Sequence, residues 1–304
     1  MKRFLLTVVG LFAAVYVLLL VNDRVNLHLI FSSTNTRLYK MYRLFEVAPT
    51  DEIPIFGSSR AEAGFAPSEL SPRAFNYGIS GSGQGESLLH VKAACSRPDA
   101  DLIVINLDPW GIGGLGNFQG NYSLAYGSPL LREYEKYTHI ELVDRLPGTR
   151  FYGRFRPNLG ECLNSVLAAT KRIDKGAILQ RLSRNDEEWA YIIGRCAPAK
   201  FTCVESVWKD YQEVFASHPN TKFVFVVSPI SKPWWERFDG KEPLAAFLEE
   251  ASKIPNLDVI DMCSTNIERY DLSYYMDLTH LNEKGARRFT KELRDELVNR
   301  GLMK

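Results

Sequence analysis

The chain is 304 residues long, 45% hydrophobic and 24% charged, a composition that supports a sizeable buried core and excludes disorder or a fibrous repeat. Its 37 basic residues against 36 acidic ones leave a formal net charge of +1, so no whole-molecule field draws it to polyanions and no nucleic-acid partner is expected. The five cysteines follow no metal-ligand spacing, and neither a metal nor a cofactor is expected.

In chain order, the first feature is Phe4 to Val21, an unbroken uncharged run of 18 residues. As a helix rising ~1.5 Å per residue, such a run just crosses a bilayer core. A retained transmembrane helix is the expectation, with membrane contact through residues 4–21. The alternative is a cleaved signal peptide, which the length of the run and the passage into Asn22-Asp23-Arg24 without a small-residue cleavage pattern disfavour. Lys2 and Arg3 precede the run while Arg24, Arg37, Lys40 and Arg43 follow it, so the positive-inside rule does not vote cleanly. The short basic start favours the N-terminus inside, giving a single-pass protein whose domain lies on the extracytoplasmic side. Residues 37 to 45 mix basic and large apolar side chains and suit either a membrane surface or an ordinary packed helix. The expected organisation is an anchor over 1–22, a juxtamembrane segment over 23–50 and an α/β domain over 51–304.

Within that domain, short apolar runs alternate with longer helical patterns, which predicts a parallel sheet covered by helices. Strands are predicted at 53–57, 74–78, 102–107, 222–228 and 257–261. Ile103-Val104-Ile105 and Phe223-Val224-Phe225-Val226-Val227 are apolar on both faces, as central strands must be. Helices are predicted at 86–96, 205–217, 243–253 and 283–300. In the last, Ala286, Phe289, Leu293 and Leu297 recur at helical spacing between an Asn282 N-cap and a Gly301 stop. An insertion at about 111–204 is too long for a plain loop and is expected to carry helices around 130–146 and 160–195. In an exported domain, Cys196 and Cys203 could close a small loop around Pro198, though sequence does not give pairing.

Ser59 lies in the segment Ile53-Pro54-Ile55-Phe56-Gly57-Ser58-Ser59-Arg60, a strand followed by a turn glycine and two serines. That is where an α/β enzyme presents a nucleophile, and also where an ordinary turn is found. A serine nucleophile needs a base, and the base needs an orienting partner. Asp277-Leu278-Thr279-His280, in the loop after the fifth strand, supplies both. His28, His90, His139 and His218 have no such context and are assigned structural places.

Taken together, these blocks resemble those of the SGNH (GDSL-like) hydrolases. Gly57-Ser58-Ser59 stands where that family has Gly-Asp-Ser, Gly81 in Asn76-Tyr77-Gly78-Ile79-Ser80-Gly81 matches its oxyanion glycine, and Asp277 with His280 matches its closing Asp-x-x-His. The resemblance implies a flavodoxin-like three-layer parallel sheet with an N-terminal transmembrane helix. It also implies Ser59, Asp277 and His280 as the catalytic set, and backbone amides of Ser59 and Gly81 as the oxyanion hole. The third block departs: Asn106-Leu107-Asp108-Pro109-Trp110 has no asparagine at the matching place, and losing one oxyanion donor costs a few kcal/mol. Gly-Ser-Ser with a degenerate third block is similar to membrane-tethered envelope proteins such as the D-alanine transfer protein of teichoic acid synthesis and polysaccharide O-acetylation proteins. This implies an acyl donor, a glycan or glycolipid acceptor and a membrane-bound O-acyltransferase as partners. The competing expectation is a silent scaffold of the same fold.

Arg60, Trp110, Trp234 and Trp235 are candidate substrate contacts, the arginine for a carboxylate or phosphate and the indoles for stacking on sugar rings. Burial of the indoles and a salt bridge for the arginine are the plainer alternatives. Gly111-Ile112-Gly113-Gly114-Leu115-Gly116 has dinucleotide-loop spacing, but Asn117-Phe118-Gln119-Gly120-Asn121-Tyr122 continues as loop where a helix is needed, so no dinucleotide site is expected.

Overall fold

The computed structural model describes residues 1–32, 37–47, 49–97, 100–113, 159–160, 171–197, 199–265 and 267–304. Those residues fall into two compact units, one holding 1–47 and 159–160, the other 49–113 and 171–304.

In the first unit, helix α1 (Lys2–Ser32) runs past the predicted end of the apolar run at Val21. Nothing from Asn22 onward breaks it, for neither proline nor glycine intervenes and Asn26 Nδ2 donates back to the Asn22 carbonyl at 2.8 Å. The helix is long and apolar enough to cross a membrane, and Phe4, Leu11, Phe12 and Leu18 stand exposed along it. Helix α2 (Arg37–Tyr42) leads into a π-helical turn, Arg43–Val47, and Tyr42 is buried with Leu27 and Tyr39 packed against it.

The second unit is built on a five-stranded sheet. Its strands are β1 (Ile53–Phe56), β2 (Ala74–Asn76), β3 (Leu102–Asn106), β8 (Lys222–Val227) and β9 (Leu257–Asp261). Short strands β4 (Gly111–Ile112), β5 (Lys171–Asp174), β6 (Ala177–Gln180) and β7 (Thr202–Cys203) lie outside it. The sheet order is β2-β1-β3-β8-β9, and every pair within it is parallel. The doubly apolar runs read from the sequence are its central strands: Ile103, Val104, Ile105, Phe223, Val224, Phe225, Val226 and Val227 are all fully buried. This is the flavodoxin-like order, in which the chain turns back between β1 and β3 and leaves a crevice at their carboxyl ends.

Helices α3 (Ser59–Gly64), α4 (Pro67–Leu70) and α5 (Gln84–Cys95) follow the first two strands. Helices α6 (Asp186–Gly194), α7 (Glu205–Ser217), α8 (Lys232–Glu236), α9 (Lys241–Ala251) and α10 (Glu283–Asn299) complete the unit. Helix α7 lays Tyr211 and Phe215 on Phe225 and Phe223 of β8, with ring centroids 5.7 and 4.7 Å apart, and α5 brings His90 against Phe56 of β1. Helix α10 packs on α3 and α4, where Phe289 meets Phe65 edge to face at 4.9 Å. Asn282 caps it through Gly285 N, and Gly301 ends it with φ +69°.

The insertion departs from expectation. Among the described residues of the helix foreseen over 160–195, Gly160 and Asp186–Gly194 are helical, while residues 171–180 form an antiparallel hairpin. Lys175 and Gly176 both take positive φ, the geometry of a tight two-residue hairpin turn, while along the second strand Ala177 and Leu179 are buried and Ile178 and Gln180 half-exposed. A period of two thus prevails over the helical reading of a short apolar run. The hairpin tip is fastened to the outer strand, since Asn76 N donates to the Lys175 carbonyl at 2.9 Å. The helix foreseen at 130–146 lies outside the described residues. Gly111 and Ile112, from the glycine-rich stretch, form β4 and pair with β7. Cys196 and Cys203 carry free thiols.

Candidate active site

Gly57 ends β1 with φ +145°, and an added Cβ there would sit 2.8 Å from Ala61 Cβ and 3.0 Å from Asn106 Cβ, so the turn closes only without a side chain. The chain then starts α3 at once. Ser58 is its N-cap, accepting from Arg60 N at 3.3 Å, and Ser59 is its first residue. The hydroxyl of Ser59 therefore stands at the carboxyl edge of the sheet, on the β1 side of the crevice.

His280 comes from the other end of the sequence and meets it there. Ser59 Oγ lies 2.7 Å from His280 Nε2, and His280 Nδ1 lies 2.9 and 3.0 Å from the two Asp277 carboxylate oxygens. Burial pushes the Asp277 carboxyl up, but the hydrogen bond and charge of His280 and the Thr279 N–H outweigh it and hold the group down at about 2. An ionised Asp277 requires the proton of the neutral imidazole to sit on Nδ1, which leaves Nε2 to accept from the serine. The loop is set for this locally. Asp277 Oδ1 accepts from Thr279 N (2.8 Å) and His280 N (2.9 Å), and Met276 N donates to the His280 carbonyl.

The loop after β2 is stitched to the same turn. Ile79 N donates to the Gly57 carbonyl at 3.0 Å, Ser82 Oγ lies within hydrogen-bond distance of that carbonyl, and Ser80 Oγ donates to Glu62 of α3. Gly81 sits exposed at the apex with φ +81°. Asn76 braces the arrangement from behind. Its Nδ2 donates to the Ala61 and Phe65 carbonyls, and its Oδ1 accepts from Gly78 N.

Arg60 requires a correction. Offered from sequence as a substrate contact, it is 2% exposed, and its guanidinium is taken up by the protein. Nε donates to the Thr279 carbonyl (3.1 Å), one terminal nitrogen to the Ser228 and Pro229 carbonyls (2.7 and 3.1 Å), and the other faces Asp108 at 3.5 Å. It turns inward because unpaired carbonyls at the end of β8 and a carboxylate after β3 await it there, whereas sequence shows only an arginine beside a serine.

Asp108, in the divergent third block, has no role read from sequence. It is buried, accepts from Ser58 Oγ at 3.1 Å and from Asn106 Nδ2 at 3.3 Å, and its carboxyl is raised by burial against the opposing pull of Arg60, Ser58 and His280. Asn106 is fully buried. Of the three indoles, Trp234 is buried, stacked on Phe238 at 5.0 Å and edge-on to Trp110 at 5.7 Å, which makes it a packing residue. Trp110 and Trp235 are half-exposed, and the Arg60 guanidinium lies 5.6 Å from the Trp110 ring centre.

No protein-family model matches the chain, and no curated protein matches it either. Among solved structures it is similar to a Streptococcus pneumonia protein provisionally described as a platelet activating factor, at 16% identity and TM-score 0.42 over 86% of this chain and 90% of that one. It is also similar to a Bacteroides fragilis protein provisionally described as an acylhydrolase, at 12% identity and TM-score 0.41 over 89% of this chain and 98% of that one. An acetyl xylan esterase from Butyrivibrio proteoclasticus is similar at 11% identity and TM-score 0.35, over 83% of this chain and 65% of that one.

Proposed function

We propose that this protein is a serine-dependent esterase or O-acyltransferase that works through an acyl-Ser59 intermediate at a membrane. The observation that carries the reading is the unbroken relay from Ser59 Oγ through both nitrogens of His280 to Asp277. In the forward step, Ser59 Oγ bonds to the acyl carbonyl carbon as its proton passes to His280 Nε2. Asp277 holds the imidazolium so formed. The oxyanion is received by the backbone N–H groups of Ser59 and Gly81. Collapse breaks the ester bond, and the leaving alcohol takes the proton from Nε2. In the second step Nε2 takes a proton from water or from an acceptor hydroxyl, whose oxygen attacks the acyl carbon; the bond to Ser59 Oγ then breaks and Oγ takes the proton back from Nε2.

The apolar α1 supports membrane attachment, and the orientation proposed here, N-terminus inside and domain outside, rests on the short basic start Lys2-Arg3 ahead of it. That setting favours a cell-envelope polysaccharide or glycolipid as the acceptor, with Trp110 and Trp235 as partly open aromatic faces for a sugar ring. It favours a membrane-bound O-acyltransferase as the donor's source.

A silent scaffold is the second reading, and one observation favours it: no asparagine side chain stands in the third block to complete the oxyanion hole, and Asn106 donates to Asp108 instead. One experiment separates the two. Fluorophosphonate labelling and 4-nitrophenyl acetate turnover are measured on the full chain in detergent, beside Ser59→Ala and His280→Ala. Signals lost in both variants support the serine mechanism. Wild-type signals no higher than the variants' leave the scaffold.

A further inference from the structure

Arg60 and Asp108 are both buried, and they are joined to the nucleophile and to the base by separate bonds. The guanidinium belongs to the residue after Ser59 and donates to the carbonyl of Thr279, the residue before His280. A single side chain thus spans the two elements whose meeting sets the 2.7 Å contact between Ser59 and His280. Its remaining donors fix it to the end of β8, so the span is referred to the sheet rather than to a mobile surface. On the other side, Asp108 holds Ser58, the N-cap of the nucleophile's helix, and so ties β3 to the same helix.

A desolvated guanidinium without a counter-charge is costly, and a single carboxylate placed as an ion pair keeps it buried. The planar fork of arginine, with donors in several directions, matches three carbonyls and a carboxylate in a way that a lysine ammonium on a flexible stem does not. Both side chains are buried beneath the site. The arrangement acts through Ser59 and His280.

We propose that Arg60 and Asp108 form a positioning pair that holds Ser59 and His280 in register, a role that rests on the serine reading above. Small misplacements of catalytic groups are expensive, about 100-fold in rate for roughly 1 Å, so loosening either member acts on kcat. Asp108→Asn keeps the shape and can still accept from Ser58, but removes the counter-charge. Arg60→Lys keeps the charge but loses the fork.

The test uses the full chain in detergent, with thermal midpoint and near-ultraviolet circular dichroism to show that each variant is folded. Asp108→Asn and Arg60→Lys are expected to lower kcat for 4-nitrophenyl acetate about 10- to 100-fold with KM within about two-fold. The double variant should fall no further than the weaker single, because both act on one contact. Ser58→Ala removes the hydrogen bond to Asp108 together with the cap bond from Arg60 N and no charge, and should lower kcat about three- to ten-fold; if the charge variants do not fold, a wild-type kcat in folded Ser58→Ala overturns the pair. Folded variants with wild-type kcat, while Ser59→Ala is inactive, overturn the positioning pair and leave the serine mechanism standing. Wild-type labelling that survives Ser59→Ala overturns the serine mechanism and the pair with it.

Discussion

Gly78→Ala tests the site without altering any group that reacts. A Cβ at Gly78 would lie 2.5 Å from Glu62 N and 2.8 Å from Ala61 Cβ, the first roughly 0.9 Å inside the 3.4 Å of ordinary contact. Glu62 N closes the first turn of α3 by donating to the Ser58 carbonyl at 3.0 Å, so the new methyl presses on the backbone that carries Ser59. Neither neighbour is the free end of a flexible side chain, and Asn76 pins this loop to α3 from behind. The displacement is therefore shared by the helix. Overpacking of this kind costs about 1–3 kcal/mol of stability, and a shift of α3 approaching 1 Å costs about 100-fold in the serine's reactivity. Gly301→Ala is the control: its Cβ would meet nothing within 4 Å and it lies at the end of α10 away from the relay, so only the φ of +69° is strained, at about 1–2 kcal/mol. The assay is the second-order rate of fluorophosphonate labelling, with the thermal midpoint measured alongside. Gly78→Ala with the labelling rate and midpoint of wild type would refute the argument that packing behind α3 sets the nucleophile.

Other perturbations have definite expectations. Asp277 is held at about 2 in the folded chain, below the unfolded carboxylate value, so its contribution to stability is in place above about pH 4 and is lost as pH falls toward 2. The Tm gap between wild type and Asp277→Asn should narrow from pH 6 to pH 2.5, and an unchanged gap contradicts the linkage; with 41% of the side chain exposed, solvent screening keeps the effect below about 1 kcal/mol. Burial pushes the Cys95 thiol up to about 12 and raises that of Cys263 as well, so iodoacetamide at pH 8 should spare both in the native protein and modify both in denaturant. Peptide mapping that finds either alkylated in the folded chain counts against this burial. Gly176→Val should cost about 1–3 kcal/mol from its positive φ, and more because a Cβ would lie 2.2 Å from the Asn76 carbonyl oxygen; a wild-type midpoint would mean that the hairpin tip does not rest on β2.

By itself the sequence determined the strands, the long helices and the residue types of the relay. Val224, Phe225 and Val226 were legible as a central strand, because a short β-branched and aromatic run that is apolar on both faces suits the middle of a parallel sheet, and all three are fully buried. Helix α10 was legible from the spacing of Ala286, Phe289, Leu293 and Leu297, all fully buried in the structure. Asp277 and His280 were legible as a pair because their bonds are local, three residues apart in one loop. Only the tertiary structure decided how the rest is used. The short run at 171–180 satisfies a helical period and a period of two about equally, and its docking on β2 selects the hairpin. Arg60 reads as a free cation beside a serine until the carbonyls of Ser228 and Pro229, some 168 positions away, turn it inward. Asp108 carried no role in the sequence, and the fold places it opposite that arginine as its counter-charge. The physical reason is common to these cases: periodicity and composition record which surface a residue buries, while a buried polar group takes its role from partners that the chain brings to it only on folding.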